Sequence, residues 1–172
     1  MPYINLDAFD IRILRALQED GRLSNTDLAD AVGLSASPCL RRVRRLERDG
    51  FISSYQAVLD REAVGLSLTV FLNIRLKDPS EEAARRLEES LFALPEIVAC
   101  HLVSGEADYL AELCVSNIRA FEDILSRKLR NLPDIHEIRS TIALKTVKSA
   151  MPLSLAHLKR DDGSSKEQAP DC

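Results

Sequence analysis

The sequence predicts an α+β fold in two parts: three capped helices and a strand-like wing first, then a four-stranded antiparallel sheet with two helices. Three observations carry this. Helix-start signals occur three times before residue 40. The heptapeptide Leu91-Phe-Ala-Leu-Pro-Glu-Ile97 recurs as Leu129-Arg-Asn-Leu-Pro-Asp-Ile135, 38 positions later and matched at every fixed place. Between the helical part and that repeat, Leu68, Val70, Leu72, Ile74 and Leu76 alternate with Thr69, Phe71, Asn73, Arg75 and Lys77, the period of a strand.

In the first part, Asp7 reads as an N-cap, with Leu6 and Ile11 at the two positions of a hydrophobic staple. Ile11, Leu14 and Leu17 follow on one face, and Gly21 suits a left-handed end. Ser24 caps the next helix, Asp27 answers from its third position, and Leu23 and Leu28 supply the staple. That helix ends at Gly33. A third begins at Ser35 or Ser37, with Pro38 in a first turn that has no amide to lose. Small Ala29 allows close helix approach, and Leu34 plugs the angle. A short helix, a tight glycine turn and a further helix give the spacing of a helix-turn-helix. Phe51 to Val58 has strand character and suits a wing.

The third helix carries Arg41, Arg42, Arg44, Arg45 and Arg48 against one Glu47, in a chain whose formal net charge is −4. An acidic chain has no general attraction for polyanions, so this is positioned charge. Leu40, Val43 and Leu46 are expected to be its buried stripe, leaving Arg41, Arg45 and Arg48 on another face. Arginine makes forked contacts to phosphates and to guanine edges. In a helix-turn-helix the second helix of the pair enters the major groove, N-terminal residues nearest the bases. The expected DNA contacts are Ser35, Ser37, Pro38 and Arg41 at bases, and Arg42, Arg45 and Arg48 at phosphates with Arg22 flanking. Arg42 and Arg44 have a second option, pairing with Glu47 or facing solvent.

Composition narrows the remaining classes. Apolar content of 45% supports a proper core. No run reaches membrane-span length and no secretory signal pattern opens the chain, so a cytoplasmic location is expected. Cys39, Cys100, Cys114 and Cys172 lack metal-ligand spacing. Cys100 and Cys114 lie in apolar strands, where a cysteine serves as a small hydrophobe. No metal or cofactor is expected. His101, His136 and His157 have no partners at catalytic spacing, and no phosphate-cradling glycine loop is present, so an enzyme is not expected. His101 is expected to be packed in a core or interface.

In the second part, helices are expected over Ser80–Phe92, with Leu87 and Leu91 inward, and Asn117–Leu132, with Phe121, Ile124, Leu125 and Leu129 inward. Proline ends both. Ile97–Ser104 and Tyr109–Val115 form a hairpin through Gly105-Glu-Ala-Asp108, and Ile135–Val147 is the last strand. The order is βαββαβ, a ferredoxin-like split unit with both helices on one sheet face. The other face needs a cover, which predicts a homodimer by sheet-on-sheet packing. The expected domains are 1–58 winged helix-turn-helix, 59–66 linker, 67–150 ferredoxin-like, and 151–172 a partly disordered tail, Gly163–Cys172 most polar.

Taken together, Asp7-x-x-Asp10-x-x-x-Leu14, Leu34-Ser35-x-Ser-Pro38-Cys39-Leu-x-Arg-Val43-Arg-Arg-Leu-Glu-x-x-Gly50 and Cys100-His-Leu-Val-Ser-Gly105-x-x-Asp108-Tyr-Leu resemble the Lrp/AsnC family of feast/famine regulators, over about Leu6 to Val147. The resemblance implies a bacterial or archaeal transcription regulator that binds double-stranded DNA. It also implies homodimers assembling into octamers or similar rings, and sensing of a small molecule, usually an amino acid. By the family's pattern the effector lies near the 105–108 hairpin at contacts between dimers. The matching residues are Leu102, Ser104, Gly105, Asp108, Tyr109 and, from the last strand, Thr141. Asp108 either takes an α-ammonium group or holds the hairpin's own amides. Where many relatives carry an acid and an aromatic between this glycine and aspartate, the chain has Glu106 and Ala107. The alternative function is an architectural DNA-binding oligomer without effector.

Overall fold

Each of the first three helices begins where a polar residue leaves extended backbone. The structure, a computed structural model, describes residues 6–132, 134–149 and 151–158. α1 (Ala8–Glu19) is capped by Asp7, whose carboxylate accepts from the amides of Phe9 and Asp10 while Asp10 reaches back to the Asp7 amide, a full capping box. α2 (Asn25–Val32) is capped by Ser24, which also donates to Asp27 at 2.6 Å. α3 (Ala36–Arg48) follows Ser35, whose hydroxyl makes no capping bond and stays exposed.

Gly33 turns the chain between α2 and α3 at φ 73° and ψ 42°, its amide reaching back to Ala29 and Asp30. Gly21 does not take the expected left-handed role. Asp20 ends α1 in extended backbone at φ −142°, so no left-handed residue is needed there. Ile13, Leu28, Ala29, Val32, Cys39 and Leu46 are buried together, with Leu34 and Val43 packed on them. Leu40 is a correction: it is 36% exposed, and Cys39 fills the core in its place. The apolar stripe of α3 is thus Cys39, Val43 and Leu46.

The stretch expected to be a wing strand, Phe51–Val58, forms no strand, and Ser53–Leu59 makes no backbone hydrogen bond among the described residues. A wing ladder needs a neighbouring strand, and the next one, at Leu68, pairs elsewhere. Tyr55 instead ties this stretch to α3, its hydroxyl donating to Glu47 at 3.0 Å.

The chain divides into two units. Of the described residues, 6–57 and those of 148–158 form the first, and those of Val58–Val147 the second. The return segment is held on α1 by Gln18, whose side chain donates to the Leu153 carbonyl and accepts from its amide at 2.6 Å. The start of the expected tail is therefore part of the helical unit. Gly163–Cys172, expected to be disordered, lies outside the described residues, as does Pro133. The expected linker 59–66 includes a hydrogen-bonded turn from Asp60 to Leu66, within the second unit.

The second unit is β1 (Leu68–Leu76), α4 (Glu81–Phe92), β2 (Ile97–Leu102), β3 (Tyr109–Val115), α5 (Ile118–Arg127), a 3-10 turn at Leu129–Asn131, and β4 (Ile135–Ile142). All pairings are antiparallel, in the order β2-β3-β1-β4. α5 is shorter than expected because the chain tightens into 3-10 geometry, which still buries Leu129. β4 stops at Ile142, where its pairing with β1 ends. Val70, Leu72 and Ile74 of β1 and Ala111 and Leu113 of β3 meet Leu87, Leu91, Phe121 and Ile124 from the helices, all in one core. The residues between them, Phe71, Asn73, Arg75, Leu110 and Glu112, form an opposite face without helices. Cys114 is buried, as a small hydrophobe would be. Cys100 is exposed, contrary to expectation, because β2 is an edge strand; His101 is exposed too, so it is not in the core of the chain, and it lies opposite Leu110 on the helix-free face.

Gly33 tests the turn that sets the start of α3. A Cβ there meets nothing within 4 Å, so only backbone strain opposes Gly33→Ala. The expected cost is about 1–2 kcal/mol, read as a lower melting temperature of the helical unit.

Candidate nucleic-acid interface and effector cleft

Asp10 has no solvent exposure and is the one buried charged residue among those described. Its carboxylate accepts from the Asp7 amide at 3.0 Å, from Arg42 Nη1 at 2.8 Å, and from Arg45 Nη2. Arg42 Nη1 also donates to Asp7 Oδ2 at 2.6 Å. The Phe9 ring lies beneath the Arg12 and Arg42 guanidinium groups. Two of the five arginines are thereby committed to α1. A buried carboxylate needs such partners, since unpaired burial of charge is very costly. Burial pushes the Asp7 carboxyl up, but the Asp10 amide, Arg42 and the Phe9 amide outweigh it and hold the group below its ordinary 3.8. Asp7 and, ahead of Asp10, its hydrogen bond raise the Arg42 pKa further.

This changes the expected phosphate row. Arg45 and Arg42 do not stand free. Arg41, Arg44 and Arg48 are exposed, and with Ser37 they lie at i, i+4, i+7 and i+11 on one face of α3. Arg41 and Arg44 have no carboxylate partner among the described residues; Arg48 has an exposed pair with Asp49 at 3.1 Å. Glu47 is engaged by Tyr55, whose phenol is pushed up to about 12 by burial and by Glu47. Asn25 Nδ2 donates to the Ala36 carbonyl at 2.9 Å, fixing the start of α3 against α2. Ser35 and Ser37 are exposed at that start and Pro38 is half-buried; Arg22 is exposed in the turn before α2. Arg44 was missed because helical periodicity admits both the Arg41–Arg45–Arg48 and Arg41–Arg44–Arg48 rows. The Asp7-x-x-Asp10 spacing was the available signal that an acid turns inward there.

In the second unit, the β2–β3 hairpin and the helix-free sheet face enclose a cleft of about 240 Å³. Asn73, Arg75, Ser104, Glu106, Glu137 and Arg139 line it, and Gly105, at φ 126°, borders an adjoining hollow with Arg75 and Arg139. Arg139 donates to Glu137 at 2.9 Å and pairs loosely with Glu106 at 3.6 Å. The Arg139 hydrogen bond, more than Arg75, holds the Glu137 carboxyl below its ordinary value. Arg75 has no ion pair among the described residues. Two guanidiniums and two carboxylates around one cleft complement a zwitterion: carboxylate to arginine, ammonium to glutamate.

Of the expected effector residues, Ser104 lines this cleft and Gly105 borders the adjoining hollow. Asp108 is occupied in the hairpin, accepting from the Leu76 amide at 2.8 Å while its own amide donates to Ile74. Tyr109 is buried on the helix side, donating to Glu88 at 2.7 Å; burial, then Glu88, pushes its phenol up to about 12. Leu102, paired with Tyr109, shares that side, and Thr141 lies exposed beyond Phe71. None of these four lines the cleft. Arg75 and Arg139 were missed because only the β1–β4 register, Asn73 opposite Arg139 and Arg75 opposite Glu137, brings them together.

Comparison with known proteins covers both units. Residues 6–53 match the profile of a winged helix-turn-helix DNA-binding domain, and residues 69–153 that of the Lrp/AsnC ligand binding domain. The chain is 41% identical over 150 residues to the Bkd operon transcriptional regulator of Pseudomonas aeruginosa, covering 86% of this chain and 98% of that protein. It is also 41% identical to the leucine-responsive regulatory protein of Escherichia coli K12, over 87% of this chain and 91% of that one. Among solved structures, a transcriptional regulator from Neisseria meningitidis in complex with L-methionine superposes with a TM-score of 0.86 at 36% identity, over 90% of this chain and 99% of that one.

Two outcomes test the α1–α3 network. Asp10→Ala leaves two arginines without their buried partner and is expected to cost about 3–5 kcal/mol in chemical unfolding. Asp7 is more acidic folded than unfolded, so its contribution is complete above pH 3.8 and is lost as pH falls below it. In Asp7→Asn, unfolding followed against pH should lose that part of the acid dependence.

Proposed function

The chain belongs to the Lrp/AsnC family of transcriptional regulators, and from that premise we propose that it reads DNA with the exposed face of α3 and senses an amino acid at the 103–107 hairpin. It is a regulator with a DNA-binding helix-turn-helix and a ligand-binding domain, not an enzyme. The observation that carries the DNA assignment is the exposure of Arg41 and Arg44 beside Ser37, with no carboxylate partner among the described residues. Ser35, Ser37, Pro38 and Arg41 lie at the α3 start and are assigned to base edges. Arg44 and Arg48, with Arg22 flanking, are assigned to phosphates. Arg42 and Arg45 act on DNA only through the placement of α3.

The effector is assigned to the cleft, its α-carboxylate on Arg75 and Arg139 and its ammonium on Glu106, with Ser104 and Gly105 at the wall. The L-methionine complex of the Neisseria relative supports this class of ligand. The helix-free sheet face, with Phe71 and Leu110 at its centre, is assigned to a homodimer by sheet packing, and dimers to a further ring such as an octamer. An effector shifts DNA binding only by favouring one assembly over another. The protein works in the compartment that holds the DNA, the cytoplasm of a prokaryotic cell.

Titration of the full chain with the twenty amino acids, followed by calorimetry, light scattering and DNA binding, tests this function. At least one amino acid should bind and alter assembly or DNA affinity. Binding of DNA with no response to any of them would favour an architectural oligomer. For an amino acid that binds, Arg75→Ala is expected to weaken it roughly ten-fold or more, since a charged hydrogen bond to its carboxylate is lost. Asp108→Ala should instead lower stability through the freed Leu76 amide.

A further inference from the structure

Leu40 is a large apolar side chain that the fold of the first unit leaves 36% exposed. It is not part of the buried cluster of Ile13, Leu28, Val32, Cys39 and Leu46. It is exposed on the first half of α3, one helical turn from both Ser37 and Arg44. A leucine placed between a serine and an arginine on a groove-facing surface contributes neither charge nor hydrogen bond. The base edges of the major groove offer one apolar group, the C5-methyl of thymine. We propose that Leu40 determines specificity by packing on a thymine methyl, so that each α3 selects T at one position of its half-site. This rests on the assignment of α3 to the major groove. It adds a preference that hydroxyls and guanidiniums do not supply, because neither gains from a methyl group.

The test uses a duplex selected from a random-sequence library by the full chain, with each thymine replaced singly by uracil, which removes only the methyl. Wild type should lose about four-fold in affinity at one thymine per half-site, the worth of one buried methyl-sized group. Leu40→Ala should bind the thymine duplex about four-fold more weakly and be indifferent to uracil at that position. Its melting temperature should fall by much less than that of a fully buried leucine truncated the same way, since a third of the side chain is exposed. A wild type insensitive to every uracil, or a variant that discriminates as wild type does, overturns the inference. A melting temperature lowered as for a core leucine overturns it too, because the side chain would then serve the fold. A library that enriches no duplex overturns the α3 assignment itself.

Discussion

Asp10 accepts three hydrogen bonds in a place with no access to water, and its charge is tolerated only because Arg42 and Arg45 come to it from α3. That requirement sets the rotation of α3 about its own axis. With Arg42 and Arg45 turned toward α1 and Cys39, Val43 and Leu46 in the core, one face remains. It holds Ser37, Leu40, Arg41, Arg44 and Arg48. A buried ion network is weak support for stability in itself, since well-packed apolar residues of similar size often serve as well. What it contributes here is a single orientation, which decides the residues that α3 leaves exposed.

The sheet unit rests on an analogous division by period two. Val70, Leu72 and Ile74 go to the helices, so Phe71, Asn73 and Arg75 go to the other side. That side has an apolar centre and a charged end beside the hairpin. The centre suits a second sheet and the end suits a small zwitterion. In the proposed assembly, dimer contact and effector cleft share one surface, which would give a ligand direct leverage on assembly. Arg61 marks the far end of the same face, bridging Glu112 at 2.6 Å and Thr69 at 3.2 Å.

Features set within a few residues were legible in the sequence. Asp7 and Ser24 cap as their spacing predicts, and the repeated Leu-x-x-Leu-Pro-acid-Ile marks the helix-to-strand passages. The sheet order follows from the βαββαβ sequence alone. Misplaced features depend on partners far along the chain. Arg45 was expected at phosphate and instead meets Asp10, 35 residues earlier. Leu40 and Cys39 exchange roles because the core lies slightly around the helix from the simple three-residue stripe. At the candidate cleft, Ser104 and, at the adjoining hollow, Gly105 are the residues that family resemblance names. Arg75 and Arg139 needed strand pairing, and Tyr109 faces the helices because its parity on β3 matches Ala111.

The central claim is that Arg44 meets DNA while Arg45 holds α3 in place. It is tested most directly by the salt dependence of DNA affinity in Arg44→Ala and Arg45→Ala, with a melting curve for each. Arg44→Ala should reduce the slope of log affinity against log salt by about 0.9, the loss of one phosphate contact, at unchanged melting temperature. Arg45→Ala should keep the wild-type slope and melt lower. The reverse pattern, with the slope lost in Arg45→Ala and kept in Arg44→Ala, would contradict the account.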